Sequence, residues 1–294
     1  MALLSADAYF TIGHDHFHAG KPCEDYAIAS AHEGAAYAVV SDGCSSGRNT
    51  DVGARVVALA TAAALREHWI STLRLDGNRA VANDIHTRAR SIVAGSATLL
   101  SLAEEDLLAT CLYAYVTHSG GFVHLLGDGV IALQYRDGHI KAWRYEWEGN
   151  MPFYPAYTDA SFERFTKAHG GDLDGARMRG SHFAVHDKNA QTEPESSFEL
   201  TLREGIRGII LAIPSEIFAT LKTIAVFSDG VTQIEGTDWK DAVREFLAYK
   251  STTGAFVKRR AMRAIKDMEK RGKGPLDDFA CAAITLANNE EQER

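Results

Sequence analysis

The sequence has no basic segment ahead of its short N-terminal apolar stretch, MALLSADAYF, and no apolar run of the roughly 18 residues that a membrane span needs. A secretory leader and a membrane anchor are therefore not expected, and the reading is a cytoplasmic protein with no membrane partner. Cysteine is scarce and scattered. Cys23, Cys44, Cys111 and Cys281 form no close pair, which excludes a zinc knuckle, a C-x-x-C redox motif and a disulfide scaffold, and reduced thiols suit the same compartment. Excess positive charge is absent too: 31 basic against 39 acidic side chains leave a formal charge of -8, which argues against an extended nucleic-acid surface. No repeat of a solenoid period and no linker interrupts the chain, so residues 1–294 are read as one domain. What is present is an ordinary globular composition, 46% hydrophobic and 24% charged, sufficient for a substantial core.

The pattern along the chain alternates strands and helices. Strand-like runs at 27–30 and 36–41 lead into Asp42-Gly43, and the segment 51–68 then sets Val52, Val56, Leu59 and Ala63 at helical spacing, with 49–51 as its N-cap. A second helical pattern runs through Val81, Ile85, Ala89, Ile92 and Leu99, with a break expected near Gly95. From Ala109 onward, apolar runs separated by Gly-Gly, Asp-Gly and Asp-Gly predict successive hairpins. Trp143, Tyr145 and Trp147 alternate as one face of a strand. Residues 146–198 show no clear period and read as loops or an inserted element. Order returns at 223–227, ending in Ser228-Asp229-Gly230. A helix follows at 239–249, then a second with Val257, Ala261, Ala264, Ile265 and Met268 as its buried stripe. Its basic residues Lys258, Arg259, Arg260, Lys270 and Arg271 read as a solvated face. A last strand at 279–286 precedes a polar tail, 288–294, expected to fray.

Acidic residues recur where strands start or stop: Glu24-Asp25, Asp42, Asp128, Asp229 and Asp277-Asp278. Singly, each Asp-Gly is a turn, because both residues suit the dihedrals of one. Together they point to a cation site, since carboxylates that converge repel one another until cations neutralise them. All-oxygen donors suit magnesium or manganese rather than zinc. Gly43, without a side chain, would let its own carbonyl approach a cation.

In this order the residues resemble the metal-dependent protein phosphatases of the 2C (PPM) type. Glu24-Asp25 is similar to the family's N-terminal Glu/Gln-Asp motif, Ser41-Asp42-Gly43 to its first Asp-Gly motif, and Ala109-Thr110 to the small-residue and threonine strand that follows. Gly127-Asp128-Gly129 is similar to its Gly-Asp-Ser motif, Phe227-Ser228-Asp229-Gly230 to its Ser/Thr-Asp-Gly motif, and Asp277-Asp278 to its closing pair. The pattern Gly13, His16, Gly20, Cys23, Glu24, Asp25 looks most like a bacterial branch. The resemblance implies an α+β fold, a four-layer α-β-β-α sandwich with two mainly antiparallel sheets, in which 146–222 occupies the place of the variable insertion or flap.

It also implies a serine/threonine protein phosphatase with two Mn²⁺ or Mg²⁺ ions. Asp42 would bridge them, Asp229 and Asp277 would complete one site, and the Gly43 carbonyl would serve the other, with Asp25 or Glu24 acting directly or through water. Two such ions lower the pKa of a water between them and neutralise the phosphate it attacks in line. The substrate implied is a phosphoprotein carrying a phosphoserine or phosphothreonine monoester.

The chain departs from the family pattern at three points. The phosphate-binding arginine expected just before Glu24 is replaced by Gly20-Lys21, and Lys21 offers charge without arginine's two-pronged fork; Arg48 is a second candidate for that task. Cys44 stands where many eukaryotic members carry a histidine that protonates the leaving group, and His16 is the candidate substitute, set against a role in pinning the N-terminal loop. Gln233 stands where a third-metal aspartate would partner Asp128, so a third metal is expected to be weak or absent. These departures keep open a catalytically dead, phosphatase-like binding module. A two-metal hydrolase of small phosphate esters would use the same centre.

Overall fold

The computed structural model of the chain describes residues 3–32, 34–70, 77–186, 191–192 and 194–287. The expected fraying at 288–294 falls outside the described residues. The first half contains β1 (Leu3–Thr11), α1 (His14–Ala19), β2 (Asp25–His32), β3 (Ala35–Asp42), α2 (Thr50–Ile70), α3 (Asn78–Leu100), β4 (Cys111–Thr117), β5 (Gly120–Leu126), β6 (Gly129–Tyr135) and β7 (Ile140–Trp147). The second half contains α4 (Asp159–Ala168), β8 (Ala176–His186), β9 (Gln191–Thr192), β10 (Ser196–Thr201), α5 (Leu202–Arg207), β11 (Ile209–Pro214), β12 (Leu221–Phe227), α6 (Trp239–Leu247), α7 (Phe256–Glu269) and β13 (Phe279–Ala287).

All strand pairs are antiparallel and fall into two sheets. One runs β1-β13-β12-β6-β7-β8-β10, with β9 on β8, and the other β11-β5-β4-β3-β2. Successive side chains of a strand face opposite ways, so neighbours in sequence serve different cores. Val40, Leu112, Val123, Ile131, Val226 and Ile284 fill the space between the sheets. Val39, Tyr113 and Phe122 face outward against α2 and α3, through Ala54, Ala58, Leu65 and Ile85. Phe227 and Phe279 face the other way, against Trp239 and Phe246 of α6 and Ile265 of α7. This is the expected four-layer α-β-β-α sandwich, with β3 buried on both faces and correspondingly apolar. Among the described residues no helix is long and apolar enough to cross a membrane.

The helix over 256–269 buries Val257, Ala261, Ala264, Ile265 and Met268, as its spacing predicts. For α2 the expected face is wrong. Leu59 is 46% exposed, whereas Ala54, Ala58 and Leu65 are fully buried. The helix presents its small residues because it lies close to its neighbours: a Cβ on Gly53 would stand 2.0 Å from the Asp106 carbonyl oxygen. Nor does α3 break at Gly95. It ends at Ser101, whose φ of 55° lets Leu102 N–H reach back to the Ala97 carbonyl at 2.9 Å. Leu99, placed in its buried stripe, is 86% exposed, since the stripe ends at Ala89.

Two of the three predicted hairpins form, β4–β5 and β6–β7. Between β5 and β6 the chain instead crosses from one sheet to the other, through Gly127 and Gly129 with φ of 103° and 129° on either side of Asp128. Five strands were missed: β1, read only for a leader, and β8 to β11, of which β8 is masked by Gly180 and polar neighbours. The Phe198 ring lies over Gly180 in the space a side chain would fill. Residues 146–198, read as loops, thus carry β8, β9 and the start of β10, and β8, β10 and β11 extend both sheets. The alternating face of β7 is as expected, with Tyr145 and Trp147 buried between the sheets and Trp143 packed beside them.

The face assigned to α2 has a direct test. Leu65→Ala is expected to cost about 3 kcal/mol in denaturant unfolding and Leu59→Ala under about 0.5 kcal/mol; equal losses would mean that the helix is turned the other way.

Candidate metal centre

In an antiparallel sheet the start of one strand and the end of the next lie on the same edge. The acids precede β2, end β3, follow β5, follow β12 and precede β13, so all of them arrive at one end of the sandwich. Asp25 and Asp42 are register partners across β2 and β3. Asp42 is fixed by its main chain, its N–H donating to Thr110 Oγ1 at 3.0 Å and its carbonyl accepting Thr110 N–H at 2.8 Å. Ser228, just ahead of Asp229, donates its hydroxyl to Asp25 Oδ2 at 2.6 Å and so ties the two sheets together.

The electrostatics are those of crowded acids. Burial, followed by the charges of Asp25, Asp229, Asp128 and Asp277, raises Asp42 well above the usual carboxylate range. Burial also raises Asp25 well above it; Asp229 and Asp278 add to the rise, while the Ser228 hydroxyl opposes it. Asp128, 7% exposed, is raised by burial and then by Asp229. Asp229 is raised by burial and Asp277, with partial relief from Asp42 and Gln233. Glu24 is buried, and its Oε2 has no hydrogen-bond partner. Its pKa is raised by desolvation and drawn back by Lys21 and His16.

The other acid of the closing pair has a structural task. Asp278, 3% exposed, accepts Gly13 N–H at 2.7 Å on Oδ1, and Glu24 N–H at 2.5 Å and His16 Nδ1 at 2.9 Å on Oδ2. His16, on the short helix α1, is thereby pinned with Nε2 facing Glu24 Oε2 at 3.7 Å and Asp277 Oδ1 at 3.9 Å. Of the two roles weighed for it, the geometry displays the pin. Lys21 stands at the rim, with Nζ on the Ser45 carbonyl at 3.0 Å and 3.7 Å from Glu24 Oε1.

Arg48 is a correction. Its guanidinium is engaged in a two-pronged pair with buried Asp106, Nε at 3.2 Å and Nη2 at 3.1 Å, and Asn49 donates to the same carboxylate at 2.8 Å. This fork holds Asp106 well below the usual range, at about 2, and secures the loop before α2 rather than offering a free cation to a phosphate.

Two side chains at the centre, Tyr154 and Arg144, escaped the sequence reading, and Trp147 was read only as part of a strand face. Tyr154 is buried, and its hydroxyl is raised far above its usual range by burial, by Cys44 and by Asp42 and Asp128, which places it beside them. Arg144 is a cation whose charge reaches Asp229. Trp147 donates its indole N–H to the Gly127 carbonyl at 2.7 Å, tying the segment 146–222 to the crossing that carries Asp128. Tyr154 had no signal in its irregular surroundings, and Arg144 is masked among the aromatics of β7. Gln233, read as a missing ligand, has a positive role: its amide donates to Asp229 Oδ2 at 3.0 Å and Asp277 Oδ2 at 3.1 Å.

Residues 12–148 match the family model described as "Protein phosphatase 2C". That stretch, just under half of the chain, is similar to the protein phosphatase 2C family and carries Glu24, Asp25, Asp42 and Asp128. The fold agrees across nearly the full chain. The serine/threonine phosphatase Stp1 from Staphylococcus aureus superposes with a TM-score of 0.54 at 13% identity, covering 98% of each chain. The catalytic domain of the phosphatase PstP, solved in complex with two manganese ions, gives 0.53 at 14% identity over 98% of this chain and 100% of that one. PstP/Ppp from Mycobacterium tuberculosis gives 0.50 at 15% identity with the same coverage. At these identities the likeness is one of fold. No curated protein matches the chain by sequence.

The crowding sets a pH dependence. A carboxyl raised in the folded state contributes stability that is full below its unfolded value of 3.8 and is lost as pH rises through the folded value. In chelator the protein is expected to melt lower at about pH 7.5 than at about pH 5, with Asp42→Asn flattening the difference. A melting temperature in chelator with the same pH slope in wild type and Asp42→Asn would show that the acids do not strain the fold.

Proposed function

We propose that the protein hydrolyses phosphoserine and phosphothreonine monoesters of a phosphoprotein, with two Mn²⁺ or Mg²⁺ ions held by this acidic end of the sandwich. The observation that carries the reading is the massing of Asp25, Asp42, Asp128 and Asp229 with their pKa values all raised, a charge arrangement that calls for cations. The donor set fits the ions. It is all oxygen, includes the unpartnered Glu24 Oε2, and leaves the main chain bare at Gly43, where a Cβ would stand 2.6 Å from the Thr50 carbonyl oxygen.

Asp42 would be shared between the ions, Asp229 and Asp277 would hold one, and the Gly43 carbonyl with Asp25 or Glu24 would serve the other. When bound, the pair supplies an activated water and neutralises the phosphate it attacks. The protein's own groups do the rest. Ser228 and Thr110 orient Asp25 and Asp42, Gln233 spaces Asp229 from Asp277, and Asp278 holds His16 over Glu24. Lys21, at the rim, would meet the phosphate as a point charge. Tyr154 covers the side of Cys44 and, with it, brings the segment 146–222 to where a substrate would lie. The amide of Gln233 favours two ions over three, since Asp128 lacks a carboxylate partner at that position.

Phosphate release from a phosphothreonine peptide is expected with Mn²⁺ or Mg²⁺, to vanish in chelator, and to fall roughly a thousandfold or more in Asp42→Asn and Asp229→Asn. No turnover by folded, metal-loaded wild type on any of several phosphopeptides would favour a binding module instead. Turnover of small phosphate esters alone would move the substrate class.

Gln233→Asp should add a metal: Mn²⁺ titration is expected to show a further equivalent bound per chain. An unchanged stoichiometry would mean that Gln233 is not what limits the third site.

A further inference from the structure

α3, β5, α5 and β11 line a half-open cavity of about 740 Å³ that shares no residue with the centre. Its size is that of a small-molecule site, about 300–1,000 Å³. Leu126, Ile206 and Ile210 give it an apolar wall, while Arg79, Arg207, His86 and His124 share the polar side with Asn83 and Glu204. In a chain of net charge -8, two arginines thus face one cavity.

These cations are not neutralised within the fold. Arg79 donates Nη1 to the Arg207 carbonyl at 2.7 Å, and its charge is opposed by Arg207 rather than matched by an acid. Among the described residues neither guanidinium has a carboxylate partner. The acid in the wall, Glu204, is committed elsewhere: Oε2 accepts Thr201 N–H and Oγ1–H, each at 2.8 Å, closing the cap of α5. His124, 2% exposed, has Nδ1 at 3.2 Å from the Tyr113 hydroxyl, and Gly208 lies flat against its Nε2, where a Cβ would come within 2.3 Å. Burial lowers His86 to about 4 and His124 to about 3, so at neutral pH both rings are uncharged and the arginines alone carry the charge.

We propose that this cavity binds a small organic anion, its carboxylate or phosphate-type head paired with Arg79 and Arg207 and its apolar body laid over Leu126, Ile206 and Ile210. Two guanidiniums without a carboxylate give the head a two-point partner, and the hydrocarbon wall excludes a simple inorganic ion as the full occupant.

The test is calorimetric titration of the full, Mn²⁺-loaded chain with octanoate, with octylphosphonate, whose C–P bond a phosphatase does not cleave, and with neutral octyl glucoside. One equivalent of at least one anion is expected to bind, about tenfold or more weakly to Arg207→Glu and to Arg79→Gln, with no binding of the glucoside. Whichever anion binds identifies the head group. Both arginines are exposed, and unchanged melting temperatures of the two variants would confirm that folding is intact. No saturable binding of either anion, equal binding of the glucoside, or anion affinity unchanged in both variants would overturn the proposal. Competitive inhibition of aryl phosphate turnover with that same unchanged affinity would place the anion at the acidic centre instead.

Discussion

Mutual repulsion among the acids at one end of the sandwich is the constraint around which the rest is arranged. Carboxylates held this close, and largely removed from water, oppose folding unless cations or protons relieve them. The fold answers with rigid main-chain geometry. Asp42 is held through its own N–H and carbonyl rather than through its side chain, Asp25 leans on a hydroxyl from the opposite sheet, and the Gln233 amide stands between two acids as a neutral spacer. The large apolar cores between and outside the sheets supply the stability that tolerates such an end.

Asp278 shows how that end is closed. One buried carboxylate gathers donors from Gly13, His16 and Glu24, more than 250 positions away in sequence, and so sets the N-terminal segment against the last strand. It does with hydrogen bonds what the sheet cannot, because α1 and the turn before β2 lie beyond the ladder of paired strands. With three donors gathered on one carboxylate, this acid serves as an anchor beside neighbours crowded for another purpose.

Much of this was legible. The strand-end positions of Asp25, Asp42, Asp128, Asp229 and Asp277 follow from apolar runs and Asp-Gly breaks, and antiparallel pairing turns that alternation into convergence. The buried stripe of α7 is plain in its spacing. What was hidden has physical reasons. The inward face of α2 is written in alanine, where size misleads; Gly180 lacks a side chain because Phe198 supplies one from the adjacent strand; and Arg48 declares a charge but not that Asp106 already holds it. Tyr154 reaches the centre only through the path of a segment whose period is weak, and no local pattern announces a side chain placed by tertiary contacts alone.

The pairing of β1 with β13, register Leu3 to Ala287, has a consequence for biogenesis. Sheet partners at opposite ends of the sequence cannot meet early, and β12, in the middle of its sheet, also waits for β13. Long-range pairing of this kind slows folding. A growing polypeptide would carry Glu24, Asp25 and Asp42 well before Asp277 and Asp278 emerge, so the acids are brought together only once β13 has been made. A chain that stops short of β13 is thereby kept from assembling the full acidic cluster.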